Sequence, residues 1–481
     1  MKKTVIVNIL LLLAINLLVK PVWIFGIDRV VQNQVGEVNY GWYYALFNFS
    51  FLFSIVLDLG ITNFNSKNIA QHRHQLGEQF SWMMSTKLLL SLAYFGLAFI
   101  GALAMGYDTV GWGLLLWLLI NQFLASLILY LRSNLSGLLL FGQDRLLSVL
   151  DRLIMIAIVG YLLYGPSHEP IHIKSFVMSQ TVAYLLTAIV AFVLVLKQAK
   201  KITIRLEYKT SLQVLRKSLP YALLILLMTM YSRVDAIMLE RMLDDGKFFA
   251  GVYAQGYRFL DALNNIAYLF AIILLPTFAR MAAEQKSPAK IIEAAQNMLV
   301  PSAIAVALAA GFYREEVCEL LYTQPHQQSG TVFGMLMIGF VAVAFNYIYG
   351  TLLTANDKIK QLNQMAVAAL ILNVCLNGLF IPSLQASGAA LATLITQFFT
   401  VGVHAYLVKR NKLYAFRPRQ MLRFFLFTFL FLGIGWFVYF QLNLSLLIEL
   451  VFISVSFVSL AWMFKFITIT QIKSLLQNKS F

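Results

Sequence analysis

YGWYYALFNFSF, residues 40–51, returns in altered form at 250–261 as AGVYAQGYRFLD. Each copy follows a short polar loop and opens a long apolar run with Gly-x-Tyr, as Gly41-Trp42-Tyr43 and Gly251-Val252-Tyr253. The two glycines lie 210 residues apart. A second pair keeps nearly the same spacing. GQDRLLSVL at 142–150 and ANDKIKQLN at 355–363 are both polar-Asp-basic turns, and Asp144 and Asp357 are 213 apart. A spacing held over so long a stretch predicts two homologous halves, about 1–200 and 215–410. Each half has room for six spans. An even number of crossings returns the chain to the side it left, so the repeat is a parallel one, as in many secondary transporters.

The spans follow from composition. Of 481 residues, 60% are hydrophobic and 12% charged, whereas a soluble globular chain is about half apolar and about 25% charged. Apolar runs of about 20 residues recur along the whole length, enough to cross a bilayer as helices. This excludes a soluble enzyme and predicts an all-α polytopic membrane protein of about fourteen helices. The expected spans are 5–25, 40–62, 81–105, 112–141, 148–164, 174–196, 218–240, 250–278, 294–313, 329–354, 362–382, 386–408, 420–441 and 446–464. They group into a first lobe over 1–200, a basic cytoplasmic linker over 201–217, a second lobe over 218–410, and a further pair of spans with a tail over 411–481. The opening MKKTVIVNILLLLAINLLVKPVW has a basic start and an apolar core but no small-residue cleavage site, and is read as an uncleaved first span.

The net charge of +16 suggests nucleic acid only in a soluble protein. Here the basic residues gather on alternate loops, among them Lys197, Lys200, Lys201, Arg216, Lys409, Arg410 and Lys412. The opposite loops carry only Arg29, Lys174, Arg241, Lys247 and Arg314. The positive-inside rule then puts both termini in the cytoplasm. No nucleic-acid partner is expected. The connection 197–217 fits either a basic amphipathic helix on an anionic leaflet or a plain solvated linker. The two cysteines, Cys318 and Cys375, have no metal-ligand spacing, and the histidines, mostly in loops, form no metal set. No phosphate-binding Gly-rich loop is present, so no cofactor is expected, and a proton or sodium gradient is the available coupling.

Basic residues inside the spans carry the functional reading. Lys20, Lys87, Arg132, Arg152, Arg233 and Arg258 each cost roughly 2.5–3.5 kcal/mol at a helix centre, so each must face protein or water. Asp235 and Asp261 are the acidic companions in the seventh and eighth spans. Arg233 and Glu240 are seven apart and share a helix face, Asp235 lies on roughly the opposite side, and Arg258 shares a face with Asp261. Two readings are open: a cavity that offers Arg233, Arg258 and Lys20 to an anionic substrate, with Asp235 pairing to Arg258 or serving ion coupling, or an interhelical ion-pair network without a ligand. Lys20 precedes Pro21, which bends a helix. Arg132 and Arg152 lie toward the inner half and fit a topological role. Lys87 fits interface anchoring, as does Asp58 at the end of its span. Glu240 and Arg241 fit snorkelling at the outer interface.

Four stretches together resemble a known family: VGEVNYGWYYALFNFSFLFSIVLDLGITNFNSKNIA at 35–70, LPYALLILLMTMYSRVDAIML at 219–239, GVYAQGYRFLDAL at 251–263, and NVCLNGLFIPSLQASGAALATLITQ at 373–397. Their order and spacing are similar to those of bacterial polysaccharide flippases of the O-antigen type, within the multidrug/oligosaccharidyl-lipid/polysaccharide (MOP) transporter superfamily. The resemblance implies two six-helix lobes around a V-shaped cavity in the inner membrane. It implies an oligosaccharide on a polyprenyl pyrophosphate as substrate, flipped outward by alternating access, with polysaccharide polymerase and chain-length machinery as neighbouring partners. It also implies that the first, second, seventh and eighth spans line the cavity, which puts Lys20, Arg233 and Arg258 near a pyrophosphate. The basic first-span pattern of the related lipid II flippases is not reproduced. A drug/cation antiporter of the same superfamily is the nearest alternative. A membrane glycan polymerase or glycosyltransferase is a further one, against which stands the lack of a sizeable outer loop.

Overall fold

The computed structural model describes residues 15, 18–71, 76–166, 170–199, 208–323, 325–442 and 444–466. Most of the expected first span, residues 200–207 of the basic linker with Lys200 and Lys201, and the tail beyond 466 lie outside the described residues, as do His72, His74 and His168. Among the described residues the chain is all-helical. Among the described residues, eleven helices are long and apolar enough to cross a membrane; the protein is a multi-pass membrane protein. The chain divides into two compact units, residues 1–251 and 252–481.

In the first unit, a π-helical turn, Val22–Asp28, follows Pro21 and leads into α1, Arg29–Leu52. α1 is kinked at Gly36, whose φ of 78° is open to glycine and strained for other residues. The sequence suggests one span from 40 to 62, but α1 stops at Leu52. A 3-10 turn, Ser54–Leu57, and left-handed Leu59 and Gly60 intervene before α2, Ile61–Gln71. Asp58 accepts the Gly60 and Thr62 amides and the Thr62 hydroxyl, which starts α2. Then come α3 (Leu76–Met105), α4 (Thr109–Gly137), α5 (Phe141–Tyr164), α6 (Ile173–Gln198) and α7 (Tyr208–Met242). Asp108 caps α4 by accepting the Gly111 amide at 2.7 Å.

Lipid tails offer no hydrophobic drive between helices, so small residues and polar side chains hold them. Gly137 of α4 lies against α2, where a Cβ would meet Ile69 at 2.9 Å and the Ser66 carbonyl at 3.0 Å. Beside it Asn65 donates to Ser133 at 2.7 Å. Asn121 of α4 accepts from Thr181 of α6 at 2.6 Å. An apolar core of Phe80, Met83, Tyr130, Leu135 and Val195 fills the space between α3, α4 and α6. α7 packs along α1 within this unit.

α8, Gly246–Ala283, begins in the first unit and continues into the second. α9 (Ala289–Phe312), the short α10 (Arg314–Leu321) and α11 (Gln327–Ala355) follow. α12, Ile359–Arg410, is two helices broken at Gln385, with φ 51° and ψ −126°, three residues after Pro382. The sequence reading placed a span boundary at the same point. α13 (Pro418–Gln441) and α14 (Leu446–Met463) pack on α9 through Phe424, Phe427, Phe431, Val300 and Ile304. Across α11 and α12, Asn346 donates to Thr400 at 2.8 Å and meets His404 Nδ1 at 2.8 Å. His404, inside the expected span 386–408, is buried there. Cys318, on α10, is buried between Glu315 and Glu319, and burial pushes its thiol up to about 12, which makes it unreactive.

Candidate functional site

The charged side chains within the spans fall into sets with different degrees of satisfaction. Lys87 of α3 is fully buried, not at an interface as its sequence position suggests. Its Nζ donates to the Leu57 carbonyl at 3.1 Å and to Ser126 Oγ at 2.8 Å. Asp58 is 3.7 Å away, and the Tyr130 ring centroid 5.8 Å. The 3-10 turn after α1 exposes the carbonyl that Lys87 uses, so the break in the helix and the buried cation explain each other.

Arg132 of α4 is paired with Asp144 of α5, Nε to Oδ1 at 2.7 Å. The two helices are joined at residues 138–140, and the Gly-Gln-Asp-Arg stretch that reads as a turn in the sequence is the first turn of α5, which carries Asp144 to Arg132. Arg152 is different. Its Nε is 3.6 Å from Oδ2 of its neighbour Asp151, beyond hydrogen-bond range. Its guanidinium lies over two aromatic faces, 5.5 Å from the Trp23 centroid and 5.9 Å from that of Tyr184. Lys20 lies within electrostatic reach of Arg152, Asp151 and Arg132. The structure thus brings Lys20 together with the two arginines that sequence position had assigned to topology. Hydropathy gives depth along a helix but not the neighbour it faces, and Trp23 and Tyr184 come from the first span and α6.

Arg233 of α7 also belongs to the first unit, its guanidinium 5.5 Å from the Phe51 ring. Asp235, two residues on, is fully buried. At the end of α7, Arg241 pairs with Glu240 at 2.8 Å and stacks 4.0 Å over Tyr107. At the start of α8, Lys247 lies 4.3 Å over Trp42. Here Gly41 and Gly251, the glycines of the two Gly-x-Tyr stretches, meet. A Cβ on Gly41 would lie 1.8 Å from the Lys247 carbonyl and 2.4 Å from the Gly251 nitrogen. One on Gly251 would lie 2.2 Å from the Glu37 carbonyl. Gln32 donates to the Gly251 carbonyl at 3.1 Å.

Arg258 and Asp261 belong to the second unit and face each other on α8 at 3.9 Å, both mostly buried. Near them along the helix, Gln255 accepts from Ser329 at 2.5 Å and Tyr253 meets Thr393 at 3.3 Å. The second unit also has a cavity of about 350 Å³ between Phe278, Lys286, Leu352 and Lys412; none of the sequence-derived candidates lines it. Among the described residues no group of His, Cys, Asp and Glu could hold a metal ion.

Comparison with known proteins narrows these features to a family. No curated protein matches the chain. Solved structures match its fold at low identity. A lipid II flippase, MurJ, in an inward closed conformation aligns with a TM-score of 0.71 at 17% identity, over 94% of this chain and 98% of that one. An inward-facing multidrug resistance MATE family transporter of the MOP superfamily aligns at 0.57 and 13% identity, over 83% and 94%. A MOP superfamily transporter from Pyrococcus furiosus aligns at 0.56 and 13% identity, over 84% and 94%. The fold is that of the MOP superfamily. A family model described as polysaccharide biosynthesis protein matches residues 5–282, more than half of the chain, and the chain belongs to that family.

Proposed function

We propose that the chain is a flippase that moves polyprenyl-pyrophosphate-linked oligosaccharide from the cytoplasmic to the periplasmic leaflet of a bacterial inner membrane. It would do so by alternating access between a first lobe over 1–200 and a second over 218–410, for assembly of a surface polysaccharide of the O-antigen kind. The observation that carries this reading is the set of cations kept inside apolar helices of a polysaccharide-biosynthesis protein. A pyrophosphate crossing a low-dielectric slab needs charged partners, and arginine supplies forked, charge-assisted hydrogen bonds to phosphate. In this proposal Arg233, Arg258 and Lys20 meet the substrate. Asp235 and Asp261 hold the arginines or take part in coupling to a proton or sodium gradient. The flippase named among the structural matches supports the fold such a task requires.

The test is a deletion strain in which lipid-linked oligosaccharide is quantified by leaflet. Cytoplasmic accumulation with loss of surface glycan is expected, restored by the wild-type chain and not by R233A or R258A inserted at normal levels. Unchanged flipping with altered drug susceptibility would instead make the chain an antiporter. Single repeat units gathering on the outer leaflet would make it a polymerase. Full rescue by both variants would remove Arg233 and Arg258 from the site.

A further inference from the structure

Arg152 stands about 16 Å along α5 from its first residue, near the middle of a helix long and apolar enough to cross a membrane, and transporter sites of this kind lie near the bilayer midplane. An arginine carries five N–H donors in a fixed fork. The acceptors around this one are a thioether, the Tyr184 hydroxyl and a carboxylate just beyond hydrogen-bond range, with the buried Asp28 carboxylate also in its field. Nη1 reaches the Met155 sulfur at 3.5 Å, and a thioether accepts weakly. The Tyr184 hydroxyl is within reach. Asp151 Oδ2 is 3.6 Å from Nε. Asp151, the adjacent residue on the same helix, comes to Nε from the side as a loose ion pair and does not form a two-pronged pair with it. The Trp23 and Tyr184 rings stabilise the charge without satisfying the fork. The side chain remains 29% accessible. Lys20 brings a second cation into the same field.

We infer that Arg152 is a phosphate anchor of the first unit, and that Asp151 is its resting counter-ion, displaced when a phosphate docks. A phosphate offers the two coplanar acceptors the fork lacks, and a second cation nearby suits a pyrophosphate better than a single carboxylate. The loose pair with Asp151 also explains release. When the ligand leaves, a carboxylate is already at hand, so the charge is not stranded in the membrane. Arg132, held by Asp144 at 2.7 Å, is already paired. The identity of the phosphate as that of a lipid-linked glycan rests on the flippase reading.

The test uses the purified full-length chain in nanodiscs, titrated with a polyprenyl pyrophosphate bearing no sugar, with inorganic pyrophosphate as competitor. Wild type is expected to bind. R152Q should weaken binding about ten- to a hundredfold, the range of one or two charged hydrogen bonds, and R152K should recover part of it. D151N should bind several-fold more tightly and transfer the lipid between leaflets more slowly. A purely structural role would not produce that opposite pair of effects. Competition by inorganic pyrophosphate would show that the diphosphate, rather than the lipid tail, is read at this site; lack of competition would overturn the anchor. Unchanged binding by R152Q and D151N, with loss in R233Q, would overturn it too and leave the flippase reading standing on another residue. Failure of the wild type to bind any polyprenyl pyrophosphate would overturn both. Should R152Q fail to fold, R152K and D151N, checked as monodisperse, still decide.

Discussion

Lys87 and Arg152 are two cations within one unit, and they are held in opposite ways. Lys87 is fully enclosed and has a carbonyl, a hydroxyl and a carboxylate around one ammonium. Arg152 is partly accessible and has a thioether, the Tyr184 hydroxyl, two ring faces and a carboxylate out of hydrogen-bonding range. Burial alone therefore does not separate a structural charge from a working one. What separates them is whether the protein already supplies every acceptor the charge can use.

The contrast can be broken most directly by exchanging the expected phenotypes. R152Q should reduce leaflet transfer at least tenfold while the thermal midpoint of the purified protein barely moves. Lys87→Met should do the reverse, costing about 3 kcal/mol, toward the low end for a broken buried pair because Asp58 is partly exposed. Transfer per folded molecule should stay near normal, and adding Asp58→Asn should return part of the loss, both read by denaturation midpoints and transport assay. A stable K87M that cannot transport would erase the distinction. A third probe moves from side chains to backbone. Gly41→Ala forces α1 off the Lys247 carbonyl and should cost about 1–3 kcal/mol, whereas Gly433→Ala, with open space around it, should be neutral in the same melt. Arg241→Ala takes the partner from the Glu240 carboxylate, which is only 6% accessible, and removes a ring contact; it should cost about 1–2 kcal/mol. The smallest effect belongs to Glu284, an exposed carboxylate beyond α8. Hydrogen bonds from Lys286 and Arg280 hold it down to about 2. A depressed acid contributes above its ordinary value, near 4.5, and loses that contribution as pH falls toward 2. Glu284→Gln should leave the midpoint unchanged at pH 7, because solvent screens an ion pair at the surface.

The sequence made the spans legible because hydropathy and breakers act locally. The break at Gln385, after Pro382, is a case in which a local rule suffices. The end of α1 is one in which it fails. The apolar run from Phe51 to Leu57 reads as continuous span, yet the chain leaves the helix there. A cation thirty residues away takes up the freed Leu57 carbonyl, and no local pattern announces that partner. The same holds for the site. Arg152 was visible as a charge in a span, but its meaning depends on Trp23 and Tyr184, which only packing brings to it. Arg233, Arg258 and Asp235 were equally visible, and their side chains are largely or wholly withdrawn from solvent, as charges kept within a membrane must be.

The meeting of Gly41 with Gly251 has a consequence for heredity. In a duplicated gene the two copies of a motif are free to drift apart once they do separate work. These two copies touch, main chain against main chain, with no room on either side for even a methyl group. An alanine at either glycine alone meets main chain of the facing segment, and a change at one makes no room for a change at the other, because what both need is the absence of a side chain. Around them the copies have diverged, Trp42 against Val252 and Ala45 against Gln255. On the reading of the two halves as copies of one unit, the glycine is the position at which each copy leaves the other no room for a side chain.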